Sequence, residues 1–344
     1  MFSFLRKKPT EAAASSGQAQ ISGLPRAKTA APHAEQWLQR LEWTVLKRLD
    51  GQLQGDYRSL FRGTGLVLAD LREYQAHDDV RHIDWNVTAR MQTPYVREHQ
   101  EDREIAAWFV LDLSASVAFG SGSTSKRELA CSIVTVLSKL LSQNGNRVGL
   151  MLFTGQPSAH CVVPARSGRR HLLHIAHQML RAVPAHTPAV QTSPLGPWLM
   201  QAQSVLKRRS AVFVVSDFIS PAGWEKPLAQ LARRHEVVAV RLRDPLEMAW
   251  PDTTGMLLVQ DAESGEQLLV DGNDAAFRQR FAQHAQDREA ALLDSLAQAG
   301  VDCLELNTDE ALDQALLRFA QLRKRASQLS AASTRPMASG DVYA

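Results

Sequence analysis

Short apolar runs alternate with amphipathic segments between about residue 106 and residue 325. Apolar runs rich in β-branched residues are typical of buried parallel strands, and apolar side chains three or four residues apart predict helices. The predicted strands are Trp108–Asp112, Val148–Phe153, Cys161–Val163, Ala211–Val215, Glu236–Leu242 and Val301–Leu306, with a hairpin at Gly255–Gln260 and Gln267–Val270. The predicted helices are a segment from Leu129 that stops near Asn144, Arg169–Ala182, a segment that ends at Leu206, Leu228–Arg234, Asp274–Ala299 and a last helix that ends near Arg325.

This alternation of strand and helix predicts an α/β fold with a mainly parallel sheet and helices on both faces, since parallel strands need right-handed crossover connections. We place the α/β domain at residues 105–325. Residues 1–33, which are rich in Ala, Ser, Gly and Pro, and residues 326–344, which are rich in Ala and Ser, are predicted to be a disordered leader and tail.

Residues 34–104 differ from the rest of the chain. An amphipathic helix is predicted from Ala34 to just before Gly51, and residues 55–104 are dense in charge. Aromatic and aliphatic residues interleave with these charges, which favours a folded, irregular or short-stranded extension in which Arg–carboxylate pairs are partly desolvated. A docking face made of the same charges is the alternative.

Composition excludes several classes of function. The net charge is only +3, and the Lys and Arg residues are spread along the chain, so a nucleic-acid-binding surface is not indicated. No apolar run approaches the roughly 20 residues of a membrane span, and the amino terminus lacks the apolar region of a signal peptide. The three cysteines form no Cys-x-x-Cys pair, which fits a reducing cytoplasm.

Polar side chains follow two of the predicted strands. Asp112, Ser114 and Ser116 alternate after the first strand, and Asp217 follows Ala211–Val215. The carboxyl ends of parallel strands form one edge of a sheet, so these oxygens can share a site, and hard oxygen ligands suit Mg²⁺ or Mn²⁺. A role for Asp112 and the serines as helix caps is equally compatible with the first stretch taken alone.

A loop between these strands can add a hydroxyl ligand. It carries Thr187, Thr192 and Ser193. The glycine- and serine-rich run from Gly120 to Lys126 is superficially like a phosphate loop, but it lacks the Gly-Lys-Ser/Thr ending, so nucleotide hydrolysis by this chain is not expected.

Two resemblances add to this interpretation. Asp112-x-Ser-x-Ser116, a threonine loop and the later Ser-Asp217 resemble the metal-ion-dependent adhesion site of von Willebrand factor A domains. The run from Asp78 to Arg90 (Asp-Asp-Val-Arg-His-Ile-Asp-Trp-Asn-Val-Thr-Ala-Arg), together with Arg72-Glu-Tyr, resembles the bacterial domain-of-unknown-function 58 family. This second resemblance covers about residues 60–242 and is highly specific.

The resemblance implies a von Willebrand factor A-like (Rossmann-like) fold and one divalent cation, Mg²⁺ or Mn²⁺. Ser114 and Ser116 would bind the metal directly, Thr192 would be the threonine ligand, and Asp112 and Asp217 would act directly or through water. Thr187 and Ser193 compete with Thr192 for its role. His77, in place of a common glycine, and Val117, in place of a common methionine, depart from the family pattern without changing a ligand.

The family also implies a function, namely work beside a MoxR-type AAA+ ATPase in chaperone-like assembly or maturation of a protein complex. Two neutral hydroxyls leave residual charge and an open position on the cation, which an acidic residue of the ATPase or its client can fill. The family implies a cytosolic or membrane-tethered domain, and for this chain we expect a cytoplasmic, metal-dependent binding protein that is not an enzyme. A phosphoesterase-like metal-dependent hydrolase and a metal-independent scaffold are the alternatives.

Overall fold

A computed structural model describes residues 34–41, 70–75, 80, 83, 85–98, 106–155, 160–182, 195–250, 255–260 and 267–333. Its helices are α1 (Ala34–Leu41), α2 (Trp85–Met91), α3 (Lys126–Gln143), α4 (Arg169–Arg181), α5 (Leu195–Val205), α6 (Glu225–Arg234), α7 (Ala275–Gln298) and α8 (Leu312–Ser333). Its strands are β1 (Asp70–Glu73), β2 (Tyr95–Glu98), β3 (Ala106–Asp112), β4 (Arg147–Phe153), β5 (Cys161–Arg166), β6 (Ala211–Ser216), β7 (Glu236–Arg243), β8 (Met256–Gln260), β9 (Gln267–Asp271) and β10 (Asp302–Asn307).

Six of these strands form the central sheet, in the order β10-β7-β6-β3-β4-β5. All neighbouring pairs are parallel except β4 and β5, so β5 is an antiparallel edge strand. The chain leaves β3 toward β4 and β5, then returns to the other side of β3 with β6. The order of the strands therefore reverses between β3 and β6, and such a switch point leaves a crevice at the carboxyl ends of the strands.

The two faces of the sheet bury separate hydrophobic cores, as the alternation of side chains along a strand requires. Phe109 and Leu111 of β3 face a core shared with α3 and α8, whereas Val110 faces a core shared with α5 and α6. The rings of Phe109 and Phe213 stack at 5.1 Å within the first core. Each fully buried side chain of this size contributes roughly 1.5–3 kcal/mol. The predicted α/β architecture, with helices on both faces, is confirmed.

The last helix differs in length from its prediction. α8 continues to Ser333, whereas we expected it to end near Arg325 and a disordered tail to begin at residue 326. Residues 326–333 contain no Gly or Pro, and Ala, the strongest helix former, occurs three times among them. The Ala/Ser composition that suggested disorder therefore also suits a helix. Residues 334–344 and the predicted leader at residues 1–33 lie outside the described residues.

The charge-rich segment is described in part. β1 and β2 pair antiparallel, with Arg72 opposite Val96, and α2 lies between them in the chain. Short strands in this segment agree with the prediction. Of its charged side chains, Glu73 and Arg90 are exposed, and most of the others lie outside the described residues, as does the predicted continuation of α1 beyond Leu41.

The remaining strands form the predicted hairpin, with β8 and β9 antiparallel and Leu258 opposite Leu269. Among the residues that the structure describes, no helix is both long and apolar enough to cross a membrane.

Candidate functional site

The carboxyl end of β3 brings three of the predicted ligands together. Asp112 ends the strand and is buried, and its Oδ1 atom accepts a hydrogen bond from the Ser114 backbone N–H at 2.9 Å. This bond folds the chain back, and a 3₁₀ turn at Ala115–Ala118 follows. As a result, the Oγ atoms of Ser114 and Ser116 lie 3.2 Å apart. The hydroxyls converge as the alternation predicted.

The neighbouring strand β6 completes the same edge. Ser216, its last residue, donates a hydrogen bond from Oγ to Asp112 Oδ2 at 2.8 Å, which ties the two strand ends together. The next residue, Asp217, is buried and accepts a hydrogen bond from the Ile219 N–H through Oδ1 at 3.0 Å. Phe218 has a φ of +55°, a left-handed conformation that is uncommon for a bulky residue. Strained backbone of this kind is often found at functional sites.

The predicted threonine ligand is not placed by the structure. Thr192 and its two competitors, Thr187 and Ser193, all lie outside the described residues. Leu195, the first described residue after this loop, donates its N–H to Ser220 Oγ at 2.9 Å. Leu195 therefore lies against the turn that follows Asp217.

A buried lysine lies beside these carboxylates. Lys126, the first residue of α3, is fully buried, and its Nζ atom lies 2.7 Å from Asp217 Oδ2 and 2.6 Å from Glu247 Oε1. Burial alone would lower the pKa of Lys126, but the charges and hydrogen bonds of the two carboxylates raise it above its usual value. Lys126 is therefore a firmly protonated cation in this site.

A second buried carboxylate, Asp244, organises the loops next to the site. It follows β7 and is fully buried; its Oδ2 atom accepts from the Ser121 N–H and the Thr308 hydroxyl, both at 2.8 Å, and its Oδ1 atom accepts from the Leu246 N–H at 3.0 Å. Asp244 also forms a reciprocal capping box with Glu247 on the 3₁₀ turn Pro245–Glu247. These bonds join the loops after β3, β7 and β10 and hold Glu247 against Lys126.

The electrostatics of the site favour an additional cation. Burial, and then the nearby negative charge of Asp217, raise the pKa of Asp112 to about 6, against the opposing effect of hydrogen bonds from Ser114 and Ser216. Burial is also the main reason why the pKa of Glu247 is raised despite its contact with Lys126. Among the described residues, Lys126 is the one cation in direct contact with these carboxylates, so negative charge is in excess.

The residues present fit a hard divalent cation. The donor set is two hydroxyls and two carboxylates, all hard oxygens, at one crevice of the sheet. Within its described ranges, the structure contains no cluster of three or more His, Cys, Asp or Glu that could hold a metal ion.

A comparison with family models is consistent with this description. The model described as "Protein of unknown function DUF58" matches residues 70–291, which is more than half of the chain. The chain belongs to the DUF58 family. The uncharacterized proteins Rv1480 of Mycobacterium tuberculosis and Mb1516 of Mycobacterium bovis are each 38% identical to this DUF58 chain over 290 residues, 84% of this chain and 89% of the relative.

Solved structures give weaker likenesses to the DUF58 chain. The conserved hypothetical protein BatB from Bacteroides thetaiotaomicron has a TM-score of 0.42 and 15% identity, over 65% of this chain and 99% of BatB. A von Willebrand factor type A protein from Catenulispora acidiphila has a TM-score of 0.33 and 9% identity, over 64% of this chain and 42% of that one.

Sequence reasoning missed three polar residues of this DUF58 site, namely Lys126, Asp244 and Glu247, and it noted Ser216 only as the serine before Asp217, without a role. Some signals for them were present. Asp244-Pro-Leu-Glu247 has the spacing of a capping box, which marks a turn directly after a predicted strand. Lys126 begins a helix, where a positive charge is unfavourable, so its position called for a partner. That this partner is Asp217 depends on strand order, which the sequence pattern does not specify.

Proposed function

We propose that this protein is a metal-ion-dependent protein-binding module. The observation that carries the proposal is the convergence of the Ser114 and Ser116 hydroxyls beside Asp112, a buried carboxylate whose two described hydrogen bonds come from neutral donors, Ser114 N–H and Ser216 Oγ. A buried carboxylate without a compensating charge is costly, and bound Mg²⁺ or Mn²⁺ would supply that charge.

In this proposal each residue has a defined role. Ser114 and Ser116 bind the metal through their hydroxyls. A third hydroxyl, which we assign to Thr192 in the loop before α5, completes the set of hydroxyl ligands. Asp112 and Asp217 bind the metal either directly or through a water molecule, and Ser216 fixes the orientation of Asp112 through its hydrogen bond. When bound, the cation offers an open coordination position to an acidic side chain of a partner.

The partner that we propose is a MoxR-type AAA+ ATPase, or a client protein that it acts on, with a chaperone-like role in the assembly or maturation of a complex. Family membership and the resemblance described above support this choice. We also propose a cytoplasmic location, which suits Cys131, Cys161 and Cys303 because all three are free thiols.

The site favours binding over hydrolysis. A metal-dependent hydrolase generally needs a group that accepts a proton from water. Lys126 is poorly suited to this task because Asp217 and Glu247 hold it protonated. Lys126 is therefore not a candidate for this base, and this supports our proposal that the site binds a partner.

The metal can be tested with matched variants. We expect the wild-type protein to bind Mn²⁺, detected by the loss of free-ion signal in electron paramagnetic resonance, and the Ser114→Ala/Ser116→Ala double variant to lose at least tenfold in affinity. Ser123→Ala/Ser204→Ala removes two exposed serines outside the site, one on the following loop and one on α5, and provides the control, with wild-type affinity expected. Equal Mn²⁺ binding by a folded Ser114→Ala/Ser116→Ala protein would contradict the proposed ligands.

The partner is tested separately. Purified MoxR-type ATPase from the same organism should be retained by the immobilised wild-type protein in Mg²⁺ and released by EDTA, and the Ser114→Ala/Ser116→Ala variant should retain little in either buffer. Retention that EDTA and the double variant leave unchanged would instead favour the metal-independent scaffold.

A further inference from the structure

Lys126 is placed where its surroundings alone disfavour a cation. It is the first residue of α3, so its charge lies near the positive end of the helix dipole. Its side chain is fully buried, and moving an ammonium group out of water costs several kcal/mol unless its partners compensate. The reason for a lysine at this position must therefore lie in the groups that it contacts.

Those groups include a proposed metal ligand. Lys126 Nζ donates to Asp217 Oδ2 at 2.7 Å and to Glu247 Oε1 at 2.6 Å. The other oxygen of Asp217 accepts from the Ile219 N–H. Both oxygens of Asp217 thus have donors within the protein, and one of these donors is itself a cation.

We infer that Lys126 is an internal competitor of the divalent cation for Asp217. This inference rests on the proposed metal site. The ammonium group keeps Asp217 and Glu247 ordered when no metal is bound, and it lowers the affinity of the site by engaging one of its carboxylates and by repelling a second positive charge. The site therefore binds the metal more weakly than the same oxygen ligands would without Lys126. This weaker binding allows the metal to be exchanged.

The surrounding charges support this role for Lys126 in particular. Arg288 is half-buried on α7 and is close enough for its pKa to respond to the charges of Glu247 and Asp217, although burial is the main reason why that pKa is lowered. Within the described part of the chain, however, no hydrogen bond or ion pair joins Arg288 to Asp217. Arg288 therefore serves as a control for charge that acts at a distance without contact.

The test measures Mn²⁺ affinity by titration calorimetry in three variants. Lys126→Met should bind Mn²⁺ at least tenfold more tightly than the wild type, because a nearby unit charge and a competing contact are both removed. Arg288→Met should change the affinity by less than about threefold. Since Lys126→Met leaves two buried carboxylates without their cation, Lys126→Met/Glu247→Gln is included as a variant with fewer unpaired charges.

The double variant also separates competition from net charge. It removes one positive and one negative charge, so a pure net-charge effect predicts wild-type affinity, whereas competition predicts an affinity that is still several-fold higher than in the wild type. An affinity equal to or below the wild-type value in both Lys126 variants would overturn the inference and leave the metal site in place. Failure of the wild type and of every variant to bind Mn²⁺ would overturn the proposed function and this inference together.

Nuclear magnetic resonance gives a readout that is independent of affinity. The side-chain ammonium signal of Lys126, assigned by its loss in Lys126→Met, should shift or broaden when Mg²⁺ is added to the wild-type protein. An unchanged signal at saturating Mg²⁺ would show that the ion pair is indifferent to the metal and would overturn competition.

Discussion

Two ionic clusters of this protein differ in their balance of charge. At the carboxyl edge of β3 and β6, the carboxylates of Asp112, Asp217 and Glu247 are buried or nearly so, and Lys126 is the cation in direct contact with them among the described residues. At the β10 side of the sheet, two arginines of β7 meet two glutamates, one on β10 and one on α7. Arg241 pairs with Glu289 and Glu305, and Arg243 contacts the same two residues.

This difference separates a structural role from a ligand-binding role. In the Arg241 cluster every carboxylate has an arginine neighbour, and the charges and hydrogen bonds of Arg241 hold the pKa of Glu289 below its usual value although burial opposes this. In the cluster at β3 and β6, burial and like charge raise the pKa of Asp112 instead. A cluster that is balanced internally needs no ligand, whereas one with excess negative charge is suited to a cation.

Asp244 tests whether the loops of the carboxyl edge depend on one buried group. Asp244→Ala removes the acceptor of three hydrogen bonds, from Ser121, Leu246 and Thr308, and so takes away the described partner of the buried Thr308 hydroxyl and of two partly buried N–H groups. We expect a loss of about 3–5 kcal/mol in the free energy of unfolding, measured by urea denaturation. A loss below about 1 kcal/mol would show that the loops after β3, β7 and β10 are held mainly by other contacts.

Arg241 tests the balanced cluster. Its guanidinium pairs with both oxygens of Glu289, one of them at 2.6 Å, and its side chain is only 7% exposed. Arg241→Met should cost about 2–3 kcal/mol in unfolding free energy because Glu289 remains half-buried with a weaker neighbour in Arg243. Arg241→Met/Glu289→Met is expected to recover at least half of this loss. A double variant that is less stable than the single variant would contradict the view that this cluster is only structural.

The pH dependence of stability gives a further test of Asp244. Burial raises the pKa of this carboxyl, but hydrogen bonds from Ser121, Thr308 and Leu246 outweigh burial and lower the pKa below its usual value. A depressed pKa means that the ionised group stabilises the folded state above the unfolded-state value of about 3.9 and loses this contribution as the pH falls through its lower folded-state value.

Asp244→Asn should therefore be less stable than the wild type at pH 7, and the difference in unfolding free energy should shrink as the pH falls from 5 to 2. Urea denaturation at several pH values measures this difference. A difference that is the same at pH 5 and pH 2 would indicate that the carboxylate charge of Asp244 is unimportant.

The fold could be predicted from sequence to the level of its central elements because burial leaves a simple pattern. The runs that end at Asp112 and before Asp217 are apolar on both sides, as strands between two helical layers must be, and each appears where expected. The end of α8 was predicted less well, since an Ala/Ser-rich segment is compatible with both helix and disorder.

The candidate site could be predicted only as far as its local contacts. Asp112, Ser114 and Ser116 are close in sequence, so their convergence follows from one turn. The pairing of Lys126 with Asp217 and Glu247 joins residues 91 and 121 positions apart. Such contacts depend on strand order and loop packing, which a single sequence does not reveal. The role of the Lys126 ammonium group beside the proposed metal was therefore missed.

An ion pair between Arg169 and Glu35 differs from both clusters because it is exposed to solvent. Arg169 and Glu35 lie 3.5 Å apart between α4 and α1, and both side chains are more than half exposed, at 61% and 57%. Water screens such a pair, and ordering two long side chains offsets much of its attraction, so Glu35→Gln should change the unfolding free energy by less than about 0.5 kcal/mol. Urea denaturation alongside Arg241→Met makes the comparison direct. A loss for Glu35→Gln as large as that for Arg241→Met would mean that burial does not determine the strength of these ion pairs, and the contrast between the clusters would then have to rest on charge balance alone.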